Sequence, residues 1–186
     1  MATAEPLPTP TGYALLGLLS FGQELSGYEL KQWADDSLRF FWTAPAMSQV
    51  YRELERLAET GLVNQRSVVR EGTRPTKVYR LTPAGEQAVR AWLAEPPEPP
   101  SLKHPIALRV FLGHLVDPGD LRKALEAHRT WCEEMLADLA QVRTELGDDP
   151  KWRNAALVAE WGLDYYKGDL NAVETVVPAA LDPAAD

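Results

Sequence analysis

Apolar residues recur at spacings of three and four through Met47, Val50, Leu54 and Leu57, which is the period of one helical face. Ser48, Gln49, Arg52, Glu55, Arg56 and Glu59 fall on the other sides. Gly61 follows at the position where a left-handed residue commonly stops a helix. The pattern then changes: Leu62 to Val69 and Lys77 to Leu81 are β-rich. Between them Arg70-Glu71-Gly72-Thr73-Arg74-Pro75 reads as a turn with basic arms. Helix, strand, turn and strand are therefore expected over 43–82.

Upstream, residues 1–11 are rich in Pro and Thr and read as a loose arm. Tyr13 to Leu19 is apolar on most sides, as a helix in the middle of a core would be. Phe21-Gly22-Gln23 breaks it. Ser26 with Glu29 three residues later makes a capping box, and a second helix is expected from about Gly27 to Phe40, with Leu30, Trp33, Ala34 and Leu38 inward. Pro45 suits the first turn of the helix that follows, where its missing N–H costs nothing. Downstream, Thr82 and Pro83 suit the N-cap and first position of a fourth helix, with Val89, Trp92 and Leu93 inward. Pro96-Pro97-Glu98-Pro99-Pro100 cannot continue a helix and reads as a stiff linker.

The second half is expected to be all-helical. Leu102 to Leu115 is one apolar helix, and Asp117 caps a long one reaching about Leu146. Leu121, Leu125, His128, Cys132, Met135, Leu139, Val142 and Leu146 alternate at four and three residues along it. That heptad stripe packs lengthwise against another helix. A last helix, about Lys151 to Val177, carries Leu157, Trp161, Tyr165, Leu170, Val173 and Val177. The fold class is mostly α with a small β-hairpin. The expected organisation is an arm over 1–11, a first domain over 12–95, a linker over 96–105, a helical domain over 106–177 and a frayed tail over 178–186. A helix followed by a basic hairpin is the layout of a winged helix-turn-helix.

Charge sharpens that picture. The formal net charge of -8 argues at first against a nucleic-acid partner. Its distribution argues otherwise. Residues 1–95 hold 10 basic against 11 acidic residues, whereas residues 96–186 hold 9 against 16. Within 63–82, Arg66, Arg70, Arg74, Lys77 and Arg80 face only Glu71. The acidity is thus mostly C-terminal, and the hairpin is a basic patch. A basic hairpin tip is also an ordinary way to protect an exposed turn.

Catalytic and metal motifs are not legible. Cys132 is the one cysteine, so an intramolecular disulfide and a cysteine-rich zinc site are excluded, in keeping with a reducing cytoplasm. The N-terminus lacks a basic signal-peptide start, and no apolar run approaches the roughly 18–20 residues of a membrane span. There is no glycine-rich phosphate loop and no nucleophile–base pair, so no enzyme, cofactor or metal is expected. His128 and Cys132, four apart, could form a two-ligand pair, but a heptad seam with two small polar members is the preferred reading; His104, before Pro105, reads as a loop residue.

Four segments taken together resemble the PadR family of bacterial transcriptional regulators: Tyr13-Ala14-Leu15-Leu16-Gly17-Leu18-Leu19; Ser26-Gly27-Tyr28-Glu29-Leu30; Val50-Tyr51-Arg52-Glu53-Leu54-Glu55-Arg56-Leu57 with Gly61-Leu62-Val63; and Arg74-Pro75-Thr76-Lys77-Val78-Tyr79-Arg80-Leu81-Thr82-Pro83-Ala84-Gly85. The second half, with His104-Pro105 and Phe111-Leu112-Gly113-His114-Leu115, resembles the helical C-terminal domain of the longer members, those akin to virulence-gene activators. Two positions depart from the family pattern. Ser26 stands where the family has histidine, and Pro45-Ala46-Met47 replaces a Ser-x-Gly lead into the recognition helix.

The resemblance implies a dimeric winged-helix repressor, less often an activator, released from a pseudo-palindromic operator by a small aromatic or phenolic effector. Ser48, Gln49 and Arg52, early on the third helix, are the expected base readers, with Arg56 further along. Tyr51 matches the family's tyrosine and is expected on a phosphate. Arg70, Arg74 and Lys77 would hold phosphates or reach the minor groove from the wing. The eight heptad positions from Leu121 to Leu146 would pair two copies. Trp33, Phe41, Trp42 and Trp131 offer aromatic surface for an effector, each with core packing as the alternative. The competing class is a winged-helix module that binds protein and no DNA.

Overall fold

The computed structural model describes residues 7–42, 44–69, 75–100 and 103–180, with side chains as far as 176. The chain divides into two compact units, Met1–Pro99 and Pro100–Asp186.

In the first unit, α1 (Pro10–Leu19) starts inside the stretch expected to be a loose arm. The Thr9 hydroxyl accepts from Gly12 N, and Pro10 fills a position that needs no N–H. Leu15, Leu16 and Leu19 are buried, so α1 is the central helix of this core. The strand β1 (Leu25–Ser26) precedes α2 (Gly27–Ser37). The capping box is formed in both directions: Glu29 N donates to Ser26 Oγ at 3.2 Å, and Ser26 N donates to Glu29 Oε2 at 2.7 Å. The helix ends at Ser37 rather than Phe40.

The next helix, α3 (Met47–Glu59), has Ala46 as an N-cap without a side-chain bond. Pro45 is buried ahead of the helix rather than inside its first turn. At the other end Gly61 takes φ +70°, Gly61 N donates to Ala58 O and Leu62 N to Leu57 O. That double closure is the Schellman stop. It turns the chain directly into β2 (Val63–Val68), which pairs antiparallel with β3 (Thr76–Leu81), Gln65 opposite Tyr79. The turn at 70–74, with Arg70 and Arg74, lies outside the described residues. β1 pairs with the other edge of β3, Leu25 opposite Tyr79, so the sheet order is β1-β3-β2. A two-residue strand leaves no period in a sequence, which is why it was not expected.

Thr82 locks α4 (Pro83–Ala94) to the turn after α3. Its hydroxyl lies 2.8 Å from Gly61 O and 3.0 Å from Leu62 O, and accepts from Gly85 N at 3.0 Å. Gly85 is required by closeness: a Cβ there would lie 2.2 Å from Leu62 O. Trp92 stacks on Tyr13 with ring centroids 4.6 Å apart. Leu93, expected inward, is exposed.

In the second unit, α5 (Pro105–Phe111) begins within the stretch assigned to the linker and is shorter than the expected 102–115 helix. His104 is its N-cap rather than a loop residue. A 3-10 turn, Gly113–Leu115, leads to α6 (Pro118–Leu146), capped by Asp117. A second 3-10 turn, Pro150–Trp152, leads to α7 (Arg153–Ala180), which continues past the expected end at Val177. Leu121 clusters with Val173, and Leu139 lies against Gly162, so α6 and α7 run antiparallel along one another.

The heptad stripe has a partner within the chain. Leu121, Leu125, Cys132 and Leu139 are buried within one chain, and His128, Met135, Val142 and Leu146 are half-buried. The lengthwise partner of α6 is α7 of the same chain. A heptad pattern announces a partner helix but not whether it belongs to the same molecule.

Candidate nucleic-acid interface

α3 presents three faces. Val50, Leu54 and Leu57 go into the core, and Glu53 is buried with them. Glu53 is therefore not a surface partner for Arg52 or Arg56; a Cβ on Gly12 would lie 3.3 Å from its Oε2, beside the start of α1. On the opposite side Ser48, Arg52, Glu55 and Glu59 are exposed and share one stripe, at spacings of four, three and four.

The flanks are set by tertiary contacts. Gln49 is half-buried, and its amide donates to Thr11 Oγ1 at 3.1 Å. Arg56 donates from Nη2 to Leu7 O at 2.9 Å. Both thus face the N-terminal segment in this chain. On the other flank Tyr51 is 44% exposed, and its ring lies against Gly27 at the start of α2. Of the expected DNA contacts on α3, Ser48, Arg52 and Tyr51 are exposed, while Gln49 and Arg56 have protein partners.

The wing flanks this helix. Gln65, Ser67, Lys77 and Tyr79 share one sheet face by register. Lys77, Gln65 and Asn64 line an open groove with Glu55 and Glu59 of α3. Arg66 faces the other way and forms an ion pair with Glu24. The hydrogen bonds from Arg66 hold the Glu24 carboxyl below its usual range. Pairing within the unit thereby reduces the hairpin's apparent positive charge, and no sequence signal announced it, because Glu24 and Arg66 are 42 residues apart.

The aromatic candidates divide between the units. Trp33 is half-buried, edge-on to Phe21. Phe41 and Trp42 are exposed, at 57% and 44%. Trp131, in the second unit, lies beside His128 and edge-on to Tyr166.

Residues 15–91, from α1 through α4, match the model of the transcriptional regulator PadR-like family. That segment is similar to a PadR-like domain. Residues 102–176 match the model of the virulence activator alpha C-terminal domain. The negative transcriptional regulator PadR of Bacillus subtilis is 36% identical over 100 residues, covering 53% of this chain and 54% of that protein. The chain thus spans about half the length of that curated relative in the matched region. The crystal structure of B. subtilis PadR in complex with operator DNA superposes with a TM-score of 0.81, at 25% identity, over 92% of this chain and 99% of that one. The Vibrio cholerae virulence activator AphA shares the fold, with a TM-score of 0.69 at 21% identity over 90% of this chain and 96% of that one. B. subtilis PadR has also been crystallised with p-coumaric acid; that structure superposes with a TM-score of 0.72 at 26% identity over 92% of this chain and 98% of that one. Among the described residues, no helix is long and apolar enough to cross a membrane.

Proposed function

We propose that this chain is a sequence-specific DNA-binding transcriptional regulator, a repressor that acts as a homodimer on a pseudo-palindromic operator in the cytoplasm. The observation that carries this reading is the outward stripe of α3, which offers Ser48 and Arg52 at its N-terminal end beside Tyr51 and next to a wing bearing Lys77. Arg52 can read guanine, and Gln49 can read adenine if its amide leaves Thr11. Tyr51 and Lys77 hold phosphates, as do Arg70 and Arg74 of the turn. The operator complex of the B. subtilis relative supports DNA as the partner. The regulator has no catalytic role.

The dimer contact is placed on the surface that one chain leaves uncovered. Leu157, Trp161 and Tyr165 recur every fourth residue on α7 and are 53%, 75% and 47% exposed. Such a stripe is covered by a second copy of the helix pair, with a two-fold axis that matches a palindrome. A small aromatic or phenolic effector releases the DNA, a reading supported by the p-coumaric acid complex of the relative; Trp33, Phe41, Trp42 and Trp131 are the candidate contacts.

The test is a mobility shift with the full chain on its own promoter region, titrated with salt. Specific retardation with a steep negative salt slope is expected. Absence of any shift at low salt would sink the DNA reading and favour a protein-binding winged-helix module.

A further inference from the structure

Asp169 of α7 joins two histidines that are far away in sequence. Its Oδ1 lies 3.1 Å from His104 Nε2, at the N-cap of α5, and its Oδ2 lies 2.9 Å from His128 Nε2, on α6. The three side chains are 10–21% exposed. One turn beyond His128, the buried Cys132 places its Sγ 3.6 Å from both His128 Nε2 and Asp169 Oδ2. Burial, with Asp169 beside it, pushes that thiol up to about 12. One ligand atom from each of His104, His128 and Asp169 lies within 4.8 Å of the others.

We propose that His104, His128 and Asp169 form a binding site for a divalent transition ion of the zinc class, with two imidazole nitrogens and one carboxylate oxygen as ligands. Bonds of about 2.0–2.2 Å in a tetrahedral site separate neighbouring N and O ligands by roughly 3.3 Å. Each carboxylate oxygen is already within a few tenths of an ångström of that spacing from one imidazole, Oδ1 from His104 and Oδ2 from His128, so ligation by one oxygen requires the other imidazole to close in. Two imidazoles with one carboxylate suit zinc and its neighbours, whereas magnesium and calcium prefer oxygen alone. Cys132 adjoins the cluster through His128 and Asp169. Ligation through Nε2 puts the His104 proton on Nδ1, which costs the long 3.4 Å contact from Ala107 N. An ion held there ties the start of α5 to α6 and α7, so its binding stabilises the second unit. None of this depends on whether the first unit binds DNA.

The experiment uses the full chain without a histidine tag, stripped by a chelator. Zn2+ is titrated in competition with a chromophoric chelator, and thermal unfolding is followed with and without Zn2+. One ion per chain and a Zn2+-dependent rise in melting temperature are expected. His104→Gln and His128→Gln should each weaken binding at least tenfold and abolish the rise. His114→Gln, which alters the third and exposed histidine, should bind as the wild type does. Circular dichroism of the metal-free variants checks folding, and His104→Gln, at a helix cap, carries the test if the His128 variant fails to fold. A hydrogen-bonded cluster with no ion would show no Zn2+-dependent stabilisation. That result, or equal Zn2+ affinity in wild type and His104→Gln, overturns the proposal.

Discussion

The ring of Tyr51 lies against the bare α-carbon of Gly27: a Cβ at Gly27 would lie 2.5 Å from Tyr51 Cε1 and 3.1 Å from Cζ. The recognition helix thus seats its exposed tyrosine on the first residue of the support helix, at a position where only glycine leaves room. Gly27→Ala should leave the fold intact, because the tyrosine can swing away, but should move the phenol. Loss of a phosphate contact corresponds to about 1.5 kcal/mol, roughly tenfold in affinity. Tyr51→Phe should lose a similar amount if the hydroxyl is the contact. Unchanged operator affinity in both variants, measured by fluorescence anisotropy, would remove Tyr51 from the interface.

Arg52 and Lys77 should fail differently. Arg52 lies on the outward stripe of α3, and Lys77 lies across the groove on the wing. Arg52→Ala should relax base preference, at about 1–3 kcal/mol per lost base pairing. Lys77→Ala should weaken specific and nonspecific DNA about equally and reduce the salt slope by about one. Equal losses on both DNAs for both variants would refute this division.

Glu24 should titrate below the ordinary carboxylate range, because Arg66 hydrogen-bonds to its ionised form. A lowered folded-state value means that the pair's contribution is present above the unfolded-state value and is lost as pH falls through the folded one. A carbon-detected NMR titration should show Glu24 returning to the usual range in Arg66→Gln. Glu24→Gln should release Arg66 and steepen the salt dependence of DNA binding. A flat response would place Arg66 away from the phosphates.

Trp161→Glu should disrupt self-association. A 75% exposed tryptophan at the centre of an apolar stripe is a natural anchor, and truncating such anchors commonly costs about 2 kcal/mol or more. Sedimentation equilibrium should show at least a thirtyfold weaker dimer, with circular dichroism unchanged. An unaltered dimer would move the interface off this face of α7.

Gly85→Ala should destabilise the first unit by about 2–3 kcal/mol, because the new methyl group meets the Leu62 carbonyl oxygen, which is backbone and cannot yield easily. Urea unfolding measures this directly. A loss under about 0.5 kcal/mol, within the range of ordinary surface changes, would mean that α4 shifts freely against the turn.

Much of this chain was decided by neighbours in sequence. The capping box of Ser26 and Glu29, the Gly61 stop, the caps Thr82 and Asp117, and the inward face of α3 each depend on residues within one or two turns. A local pattern can specify them because helix period and capping chemistry are themselves local. Tertiary structure decided the rest. It paired β1 with β3, set Gln49 on Thr11, neutralised Arg66 with Glu24, buried Glu53 and turned half of the heptad stripe onto α7. It also brought His104 and His128 to Asp169, across 65 and 41 residues. Such contacts carry no period, because they arise only when helices with well-specified faces are brought together, and the side chains that meet there are chosen by packing rather than by spacing.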